Sequence, residues 1–374
     1  MAASGSAITP LIMPKWGLEM REGTIAGWLV DEGTHIEVGM PVLDVETDKI
    51  SNAVEAPDAG LLRRKVAQDG EVLPVKALLA VLAEAEVSDA EIDAFIAAYE
   101  VPAAGGDEAD EASAFQWAEV SGIRVRYARR GPEAGVPVLF VHGFGGDLGN
   151  WLFNLDAVAE TAPVIALDLP GHGQSDAKLP GTSLAALADF VGIFLDQLDV
   201  ARVHWVGHSM GGAIGAQFAL DHPQRVASLA LVASAGLGAE IDDGYIDGFV
   251  QAASRRELKP VIEKLFADPS LVSRQLLDDL LRFKRIDGVT ELLAGLGGAL
   301  FGGGRQAVLP ATQLPAARPP LLVVWGAEDH VIPAAHAKAA PAGATVAVLP
   351  GAGHMVMMEK AGEVNALLRK HLAR

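Results

Sequence analysis

Residues 203–212 read VHWVGHSMGG, and this stretch decides the fold of the larger part of the chain. An apolar, strand-like run ends at Gly207, the pattern G-x-S-x-G follows, and a helical pattern begins at Gly211. Glycines on both sides of a serine permit a sharp turn, because no Cβ atoms collide there. The positive end of the following helix favours developing negative charge at the serine. The stretch predicts Ser209 as a nucleophile at the edge of an α/β sheet.

A serine needs a base, oriented by an acid, to become an effective nucleophile. His354 and Asp329 each lie in a loop that follows an apolar run near the C-terminus. The carboxyl ends of parallel strands meet at one sheet edge, so these loops are expected to converge with Ser209. Taken alone, His354 would be interpreted as a solvated surface histidine. The chain order Ser, Asp, His predicts a triad, with Glu328 as the alternative acid.

Residues 142–146 read HGFGG and follow another apolar run. The backbone N–H groups of Phe144 and Met210 are the predicted oxyanion donors, and one such donor typically stabilises a transition state by about 2.7–4 kcal/mol. His142 is interpreted as a hydrogen-bonding residue of this loop. Residues 168–173, DLPGHG, are interpreted as a structural turn.

From residue 118 onward, apolar runs alternate with helical patterns, which predicts a doubly wound, mostly parallel sheet with helices on both faces. The alternation breaks between residues 237 and 310, where a helical insertion is expected to cap the strand ends. The predicted strands are 137–142, 163–168, 203–207, 226–233, 321–326 and 345–349, and the predicted helices are 183–198, 211–220 and 361–371.

Short apolar runs separated by Gly, Pro and Asp fill residues 8–82, and they repeat with an offset of 37 residues. The pairs include Gly23 with Gly60 and Gly33 with Gly70. Two copies of one β unit, each too small to bury its apolar face alone, predict a two-sheet sandwich of related halves. The halves join at residues 46–50, ETDKI, which places Lys49 at an exposed hairpin tip.

Residues 83–116 contain ten acidic residues and no basic one. A capped amphipathic helix is possible over residues 88–99, and the remainder is typical of a solvated tether. We therefore divide the chain into residues 6–83, a linker of residues 84–114, and residues 115–374. A docking site for a partner protein is the alternative interpretation of the linker.

The length of 374 residues exceeds one comfortable hydrophobic core, so two domains are expected. A formal charge of −19 argues against nucleic acid or an anionic membrane as the main partner. The chain has no cysteine, which excludes disulfides, thiolate metal sites and a cysteine nucleophile. No metal site is predicted. The N-terminus lacks the charge and apolar pattern of a secretory signal, so a cytoplasmic location is expected.

The nucleophile, base and acid motifs resemble the α/β-hydrolase superfamily over residues 115–374. Residues 8–82 are similar to the lipoyl domains of 2-oxo acid dehydrogenase complexes, in which a modified lysine occupies the position of Lys49. A biotinyl domain shares the sandwich, but its lysine usually lies between methionines, whereas Asp48 and Ile50 flank Lys49. The resemblance implies lipoate attached to Lys49.

Together the two parts resemble the acetyltransferase subunits of acetoin dehydrogenase complexes. This resemblance implies transfer of an acetyl group from dihydrolipoyllysine to coenzyme A (CoA), with Ser209 forming the acyl-enzyme. It implies a thiamine-diphosphate-dependent dehydrogenase and a dihydrolipoyl dehydrogenase as partners, and a homo-oligomer. The chain lacks the H-x-x-x-D-G motif of other lipoyl acyltransferases, and it has no convincing basic peripheral-subunit-binding domain.

Two other functions fit the sequence. The second domain can be a hydrolase of esters, thioesters or C–C bonds with a fused lipoyl carrier, because this fold hosts many reactions. The second alternative is a carrier scaffold without catalysis, in which the hydrolase fold serves only for docking. Three basic residues of the insertion are candidate contacts for CoA phosphates, although a solvated basic helix face is the simpler interpretation: Arg282, Lys284 and Arg285.

Overall fold

The computed structural model describes residues 8–16, 20–47, 51–102, 115–316 and 319–373. The chain divides into two compact units, Met1–Ala112 and Ser113–Arg374. No helix within the described ranges is both long and apolar enough to cross a lipid bilayer.

The strands of the N-terminal unit are β1 (Ile8–Ile12), β2 (Glu22–Trp28), β3 (His35–Ile36), β4 (Pro41–Glu46), β5 (Ser51–Glu55), β6 (Gly60–Lys65), β7 (Val72–Pro74) and β8 (Leu78–Ala83), and helix α1 (Asp89–Ala98) follows them. The strands of the C-terminal unit are β9 (Gln116–Val120), β10 (Ile123–Arg130), β11 (Val138–Val141), β12 (Val164–Leu167), β13 (Val203–His208), β14 (Val226–Val232), β15 (Leu321–Gly326) and β16 (Thr345–Leu349). Its α-helices are α2 (Leu155–Ala159), α3 (Leu184–Gln197), α4 (Met210–Asp221), α5 (Asp243–Gln251), α6 (Arg255–Ile262), α7 (Arg274–Lys284), α8 (Val289–Phe301), α9 (Val356–Glu359) and α10 (Ala361–Leu372).

The N-terminal unit is a sandwich of two four-stranded sheets, ordered β1-β8-β6-β3 and β5-β4-β2-β7. The two sheets have the same arrangement of strands. Strands β2, β3 and β4 of the first copy of the repeat are equivalent to β6, β7 and β8 of the second, and equivalent strands occupy equivalent places in the two sheets. Each sheet turns alternate apolar side chains inward, and Leu43, Val45, Leu62 and Leu79 are buried between the sheets. The predicted sandwich of related halves is confirmed.

Lys49 lies outside the described residues, together with its two neighbours. The strands on either side of it, β4 and β5, pair antiparallel as far as Glu46 and Ser51. The predicted attachment lysine therefore falls in the connection between two paired strands.

Helix α1 packs on the outer face of one sheet of the N-terminal unit. Ser88 caps the helix with a complete capping box, as the sequence suggests. The Ile92 side chain is buried in an apolar cluster with Leu78 and Val81 of β8. Arg63 and Arg64 of β6 form ion pairs with Asp89 and Asp93 at 3.1 and 2.8 Å. Residues 88–99 thus form the helix expected within the linker of residues 84–114, and this helix is packed on the folded N-terminal unit.

The C-terminal unit is built on an eight-stranded sheet, ordered β16-β15-β14-β13-β11-β12-β10-β9. The six strands predicted from apolar runs are all present and pair in parallel. The two strands at one edge, β10 and β9, pair antiparallel and were not predicted. The central strands are buried on both faces, which is why their sequences are continuously apolar.

The predicted insertion folds into helices α5 to α8. We call residues 237–310 the cap. Aromatic rings of the cap contact loops at the carboxyl ends of the strands, as with Phe249 and Phe144 at 6.1 Å between ring centroids. The α/β fold with a helical cap is confirmed.

Replacing Ile92 by Ala tests whether α1 stabilises the N-terminal unit. The side chain is fully buried, so we expect a loss of about 2–5 kcal/mol in the free energy of opening of β8. Hydrogen exchange of the β8 amides measures this energy. Ile193→Ala, at an exposed isoleucine, is the matched control and should leave β8 unchanged. Unchanged protection in Ile92→Ala would show that α1 does not stabilise the unit.

Candidate active site

Ser209 occupies the sharp turn between β13 and α4. Its backbone has φ 51° and ψ −118°, a region that a non-glycine residue adopts only under constraint. A Cβ atom on Gly207 would lie 2.3 Å from the carbonyl oxygen of Gly211, and one on Gly211 would lie 2.3 Å from that of Val141. The glycines of the motif are therefore required by the space around the turn.

The Ser209 hydroxyl forms no hydrogen bond with the described protein atoms, and neither do the backbone N–H groups of Phe144 and Met210. The loop that holds Phe144 lies against the serine, because a Cβ atom on Gly143 would be 3.0 Å from Ser209 Cβ. Backbone donors beside a serine hydroxyl are the arrangement that an oxyanion needs.

His354 and Asp329 form the buried pair that the sequence predicts. His354 Nδ1 donates to Asp329 Oδ2 at 2.8 Å, and the side chains are 2% and 0% exposed. Asp329 Oδ1 accepts the backbone N–H groups of Val331 and Ile332 at 2.8 and 2.9 Å. The Asp329 carboxylate is therefore held in one orientation. Its hydrogen bond to Nδ1–H selects the tautomer of the neutral His354 ring in which Nε2 carries no proton.

The alternative acid, Glu328, contacts a different partner. Glu328 Oε2 accepts the backbone N–H of Ala352 at 3.1 Å, and the Glu328 N–H donates to the Ala352 carbonyl at 3.0 Å. Glu328 thus ties two loops together, and Asp329 is the acid that reaches the histidine.

Two residues that sequence reasoning missed support this pair. Trp325 Nε1 donates to Asp329 Oδ2 at 3.0 Å. His208 Nε2 donates to the backbone carbonyl of His354 at 3.0 Å, and the two rings lie 4.7 Å apart. The only sequence signals were their positions, four residues before Asp329 and next to Ser209.

The loop at His142 is held by buried polar contacts. His142 Nε2 accepts the Leu169 N–H at 2.9 Å, so Nδ1 is the protonated nitrogen and donates to the Gly143 carbonyl at 2.8 Å. Asp168 accepts Arg126 Nε at 2.7 Å and the Leu148 N–H at 2.9 Å. These contacts are consistent with the structural roles expected for His142 and the turn at residues 168–173.

The cap encloses the oxyanion loop with aromatic side chains. The Phe144 ring has edge contacts with Phe249 of α5 and Phe301 of α8, at 6.1 and 6.2 Å between centroids. The Phe283 ring of α7 stacks on His172 at 6.4 Å. Ser209 itself is 7% exposed, so little of this residue is open to solvent.

Lys284 is neither a solvated residue of a basic helix face nor free to contact CoA phosphates. Its side chain is buried, and Nζ donates to the carbonyls of Phe249 and Ala252 at the end of α5. The Lys284 ammonium group therefore supplies the donors that the last carbonyl groups of α5 need, because buried carbonyls must be hydrogen-bonded. Arg282 forms an ion pair with Asp279 at 2.8 Å on the surface.

Buried histidines in this region are held neutral. Burial lowers the pKa of His142, and it lowers the pKa of His172 to about 3 with a further contribution from His142. Burial also lowers the pKa of His208 well below its ordinary value, and His354 adds to this effect. Within the described ranges, no group of three or more His, Asp or Glu side chains is arranged to hold a metal ion.

Comparisons with known proteins match both units. Residues 136–361 match the family described as alpha/beta hydrolase fold, and residues 9–82 match the family described as biotin-requiring enzyme. The dihydrolipoyllysine-residue acetyltransferase component of the acetoin cleaving system of Cupriavidus necator is 64% identical, over 98% of this chain and 97% of its own length. The component of the same name from Pseudomonas putida is 52% identical, over 98% and 100%.

The chain belongs to this acetyltransferase family. The resemblance seen in the sequence is confirmed, including the assignment of the N-terminal unit as a lipoyl domain. Among solved structures, a meta-cleavage product hydrolase from Pseudomonas fluorescens aligns with a TM-score of 0.62, at 23% identity, over 69% of this chain and 97% of its own. This likeness shows that the C-terminal unit has the fold of the α/β hydrolases.

The neutral histidines predict a loss of stability in acid. A histidine whose pKa is depressed in the folded state binds fewer protons than the unfolded chain, for which the pKa is about 6.5. Stability is therefore complete above about pH 6.5 and falls below it, by at most about 1.4 kcal/mol per pH unit for each histidine. For His172 the loss continues down to its folded pKa of about 3.

Urea unfolding of the full chain between pH 7.5 and pH 4.5 measures this loss. His172→Gln should lower the slope of unfolding free energy against pH by about one proton's contribution, about 1.4 kcal/mol per unit. His330→Gln, at an exposed histidine, is the control and should keep the original slope. An unchanged slope in His172→Gln would mean that His172 titrates normally.

Proposed function

We propose that this chain transfers an acetyl group from a dihydrolipoyl thioester to coenzyme A through an acyl intermediate on Ser209. The observation that carries the proposal is the buried hydrogen bond of 2.8 Å between His354 and Asp329, beside the Ser209 turn, in a member of an acetyltransferase family. This pair supplies a base whose acceptor nitrogen is available to a hydroxyl or a thiol.

In the first half-reaction, Ser209 attacks the acetyl thioester. His354 Nε2 takes the hydroxyl proton while Oγ forms a bond to the carbonyl carbon. The C–S bond then breaks, and the imidazolium of His354 returns the proton to the leaving sulfur. Asp329 stabilises the imidazolium, and the N–H groups of Phe144 and Met210 stabilise the oxyanion.

In the second half-reaction, a thiol takes the place of the first leaving group. His354 Nε2 removes the proton of the CoA thiol, and the sulfur attacks the acyl carbon of Ser209. The C–O bond breaks and the proton passes to Oγ, so the products are acetyl-CoA and the original serine. Water can compete with the thiol at this step, and the apolar enclosure by the cap limits that competition.

Lys49 is the proposed attachment residue for lipoate. A lipoyl group there supplies the thiol that carries the acetyl group as a thioester. The paired strands β4 and β5 fit this assignment, because they form a rigid base from which a flexible carrier can extend. The Lys49 amine would provide the amide to lipoate.

The family name assigns this chain to an acetoin cleaving system. The partners we propose are a thiamine-diphosphate-dependent dehydrogenase, which would load the acetyl group, and a dihydrolipoyl dehydrogenase, which would reoxidise the dithiol. Assembly as a homo-oligomer belongs to the same proposal.

Exchange between acetyl-CoA and dihydrolipoamide tests the serine mechanism. The wild-type chain should form acetyl-dihydrolipoamide with little free acetate. Ser209→Ala should lower kcat by at least about 1,000-fold, and Asp329→Asn by about 10,000-fold, because each removes part of the triad. His330→Gln, at the exposed residue next to Asp329, is the control and should keep the wild-type activity. Acetate as the main wild-type product would support a hydrolase, and full activity of Ser209→Ala would exclude the acyl-serine.

Intact mass spectrometry tests the lipoyl site. Protein made with lipoate should gain the mass of one lipoyl group, and Lys49→Arg should not gain it, since arginine has no amine for the amide. Lys15→Arg is the matched control and should be modified like the wild type. Exchange with free dihydrolipoamide should persist in Lys49→Arg. Modification of Lys49→Arg would place the carrier elsewhere.

A further inference from the structure

We infer that Glu359 is a positioning residue that fastens the cap to the loop of His354, so that the base is aligned only when the cap is seated. This inference rests on the proposed acetyl transfer and adds to it a means of discriminating thiol from water. Glu359 ends helix α9, five residues after His354.

The Glu359 carboxylate bridges two parts of the chain. Its Oε1 accepts the backbone N–H of Ala267, in the cap, at 2.7 Å. Its Oε2 accepts the backbone N–H of Gly353, next to His354, at 2.7 Å. Both oxygens are acceptors, so an amide at this position would direct its NH₂ group toward one of the two N–H donors. The bridge is therefore specific for a carboxylate.

The same cap segment contacts the other side of His354. The Met355 N–H donates to the Leu265 carbonyl at 3.0 Å. A Cβ atom on Gly353 would lie 2.8 Å from the Ala267 nitrogen, so the two backbones are in close contact. The residues before and after His354 are both fixed to residues 265–267 of the cap.

The cap is also in contact with the oxyanion side of the site. Tyr245 of α5 donates its hydroxyl hydrogen to the Phe144 carbonyl at 3.5 Å, and the Phe249 ring packs on Phe144. Displacement of the cap would therefore disturb the base and the oxyanion donors together. When the cap is open, the acyl-serine is exposed to water. Because His354 is then out of alignment, it does not activate that water.

Two variants of the lipoylated full chain test this inference. Glu359→Gln has the same shape but loses one of the two acceptors, and Glu359→Ala loses both. Glu363→Gln, at an exposed glutamate of α10, is the matched control. Acetyl transfer and acetate release are measured together, and each rate is divided by the amount of serine that reacts with an organophosphonate. This normalisation removes any contribution of misfolded protein.

We expect kcat for transfer per reactive serine to fall by about 10- to 100-fold in Glu359→Gln, with little change in KM for CoA, because the base is aligned for a smaller fraction of the time but is not removed. The ratio of acetate to transferred acetyl should rise, because alignment of the base no longer requires a seated cap and water can reach the acyl-serine while the base is aligned. Hydrogen exchange at residues 265–268 should accelerate. Glu363→Gln should match the wild type in kcat for transfer, in the ratio of acetate to transferred acetyl and in hydrogen exchange. If Glu359→Ala has no serine that reacts with the organophosphonate, its rates cannot be normalised, and the result of the isosteric variant Glu359→Gln decides whether the inference holds.

Three results would overturn the inference. They are an unchanged ratio and kcat per reactive serine in Glu359→Gln, an equal loss of transfer and hydrolysis at constant ratio, and unaltered hydrogen exchange of the cap segment. Failure of the proposed function is a separate result, since it appears as absence of transfer by the wild-type chain or as activity of Ser209→Ala.

Discussion

The backbone conformation of Ser209 is the constraint on which the C-terminal unit depends. A non-glycine residue with a positive φ costs about 1–3 kcal/mol and persists only where its surroundings determine it. Here the Ser209 N–H donates to the Val232 carbonyl at 3.0 Å, and the Ser209 carbonyl accepts the N–H of Ala235 at 3.1 Å. Strand β14 therefore holds the turn from the side, while β13 and α4 hold it from the ends.

Buried polar groups impose the second set of constraints. Asp329 accepts hydrogen bonds from Trp325, from His354 and from two backbone N–H groups, so its carboxylate is fully satisfied. Such a group is costly to leave unpaired, and it fixes the loops that supply its donors. The same reasoning applies to Glu359, whose two oxygens join the cap to the base loop. The chemistry proposed at Ser209 would thus depend on backbone donors contributed by several separate loops.

The two units follow different physical rules. In the N-terminal unit a repeated β motif forms both sheets, because one copy cannot bury its own apolar face. Helix α1 covers apolar residues on the outer face of one of these sheets. Two of its acidic residues pair with arginines of β6 at the surface. In the C-terminal unit, the central strands are apolar and buried on both faces, and polar loops follow their carboxyl ends.

The sequence by itself determined the elements whose signals are local. Continuous apolar runs predicted six parallel strands, the spacing of glycines predicted the turn at Ser209, and the repeat predicted the sandwich. These patterns depend on residues that are neighbours in the chain, so periodicity and steric limits are sufficient to read them.

Only the tertiary structure decided which polar groups meet. The choice of Asp329 over Glu328, the burial of Lys284 and the contact of Glu359 with the cap all depend on partners distant in sequence. The docking of α1 was missed for the same reason, whereas the edge strands β9 and β10 were missed although they are neighbours in the chain and pair with each other. Adjacent carboxylates look alike in a sequence, and their roles separate only when folding gives each one a particular donor.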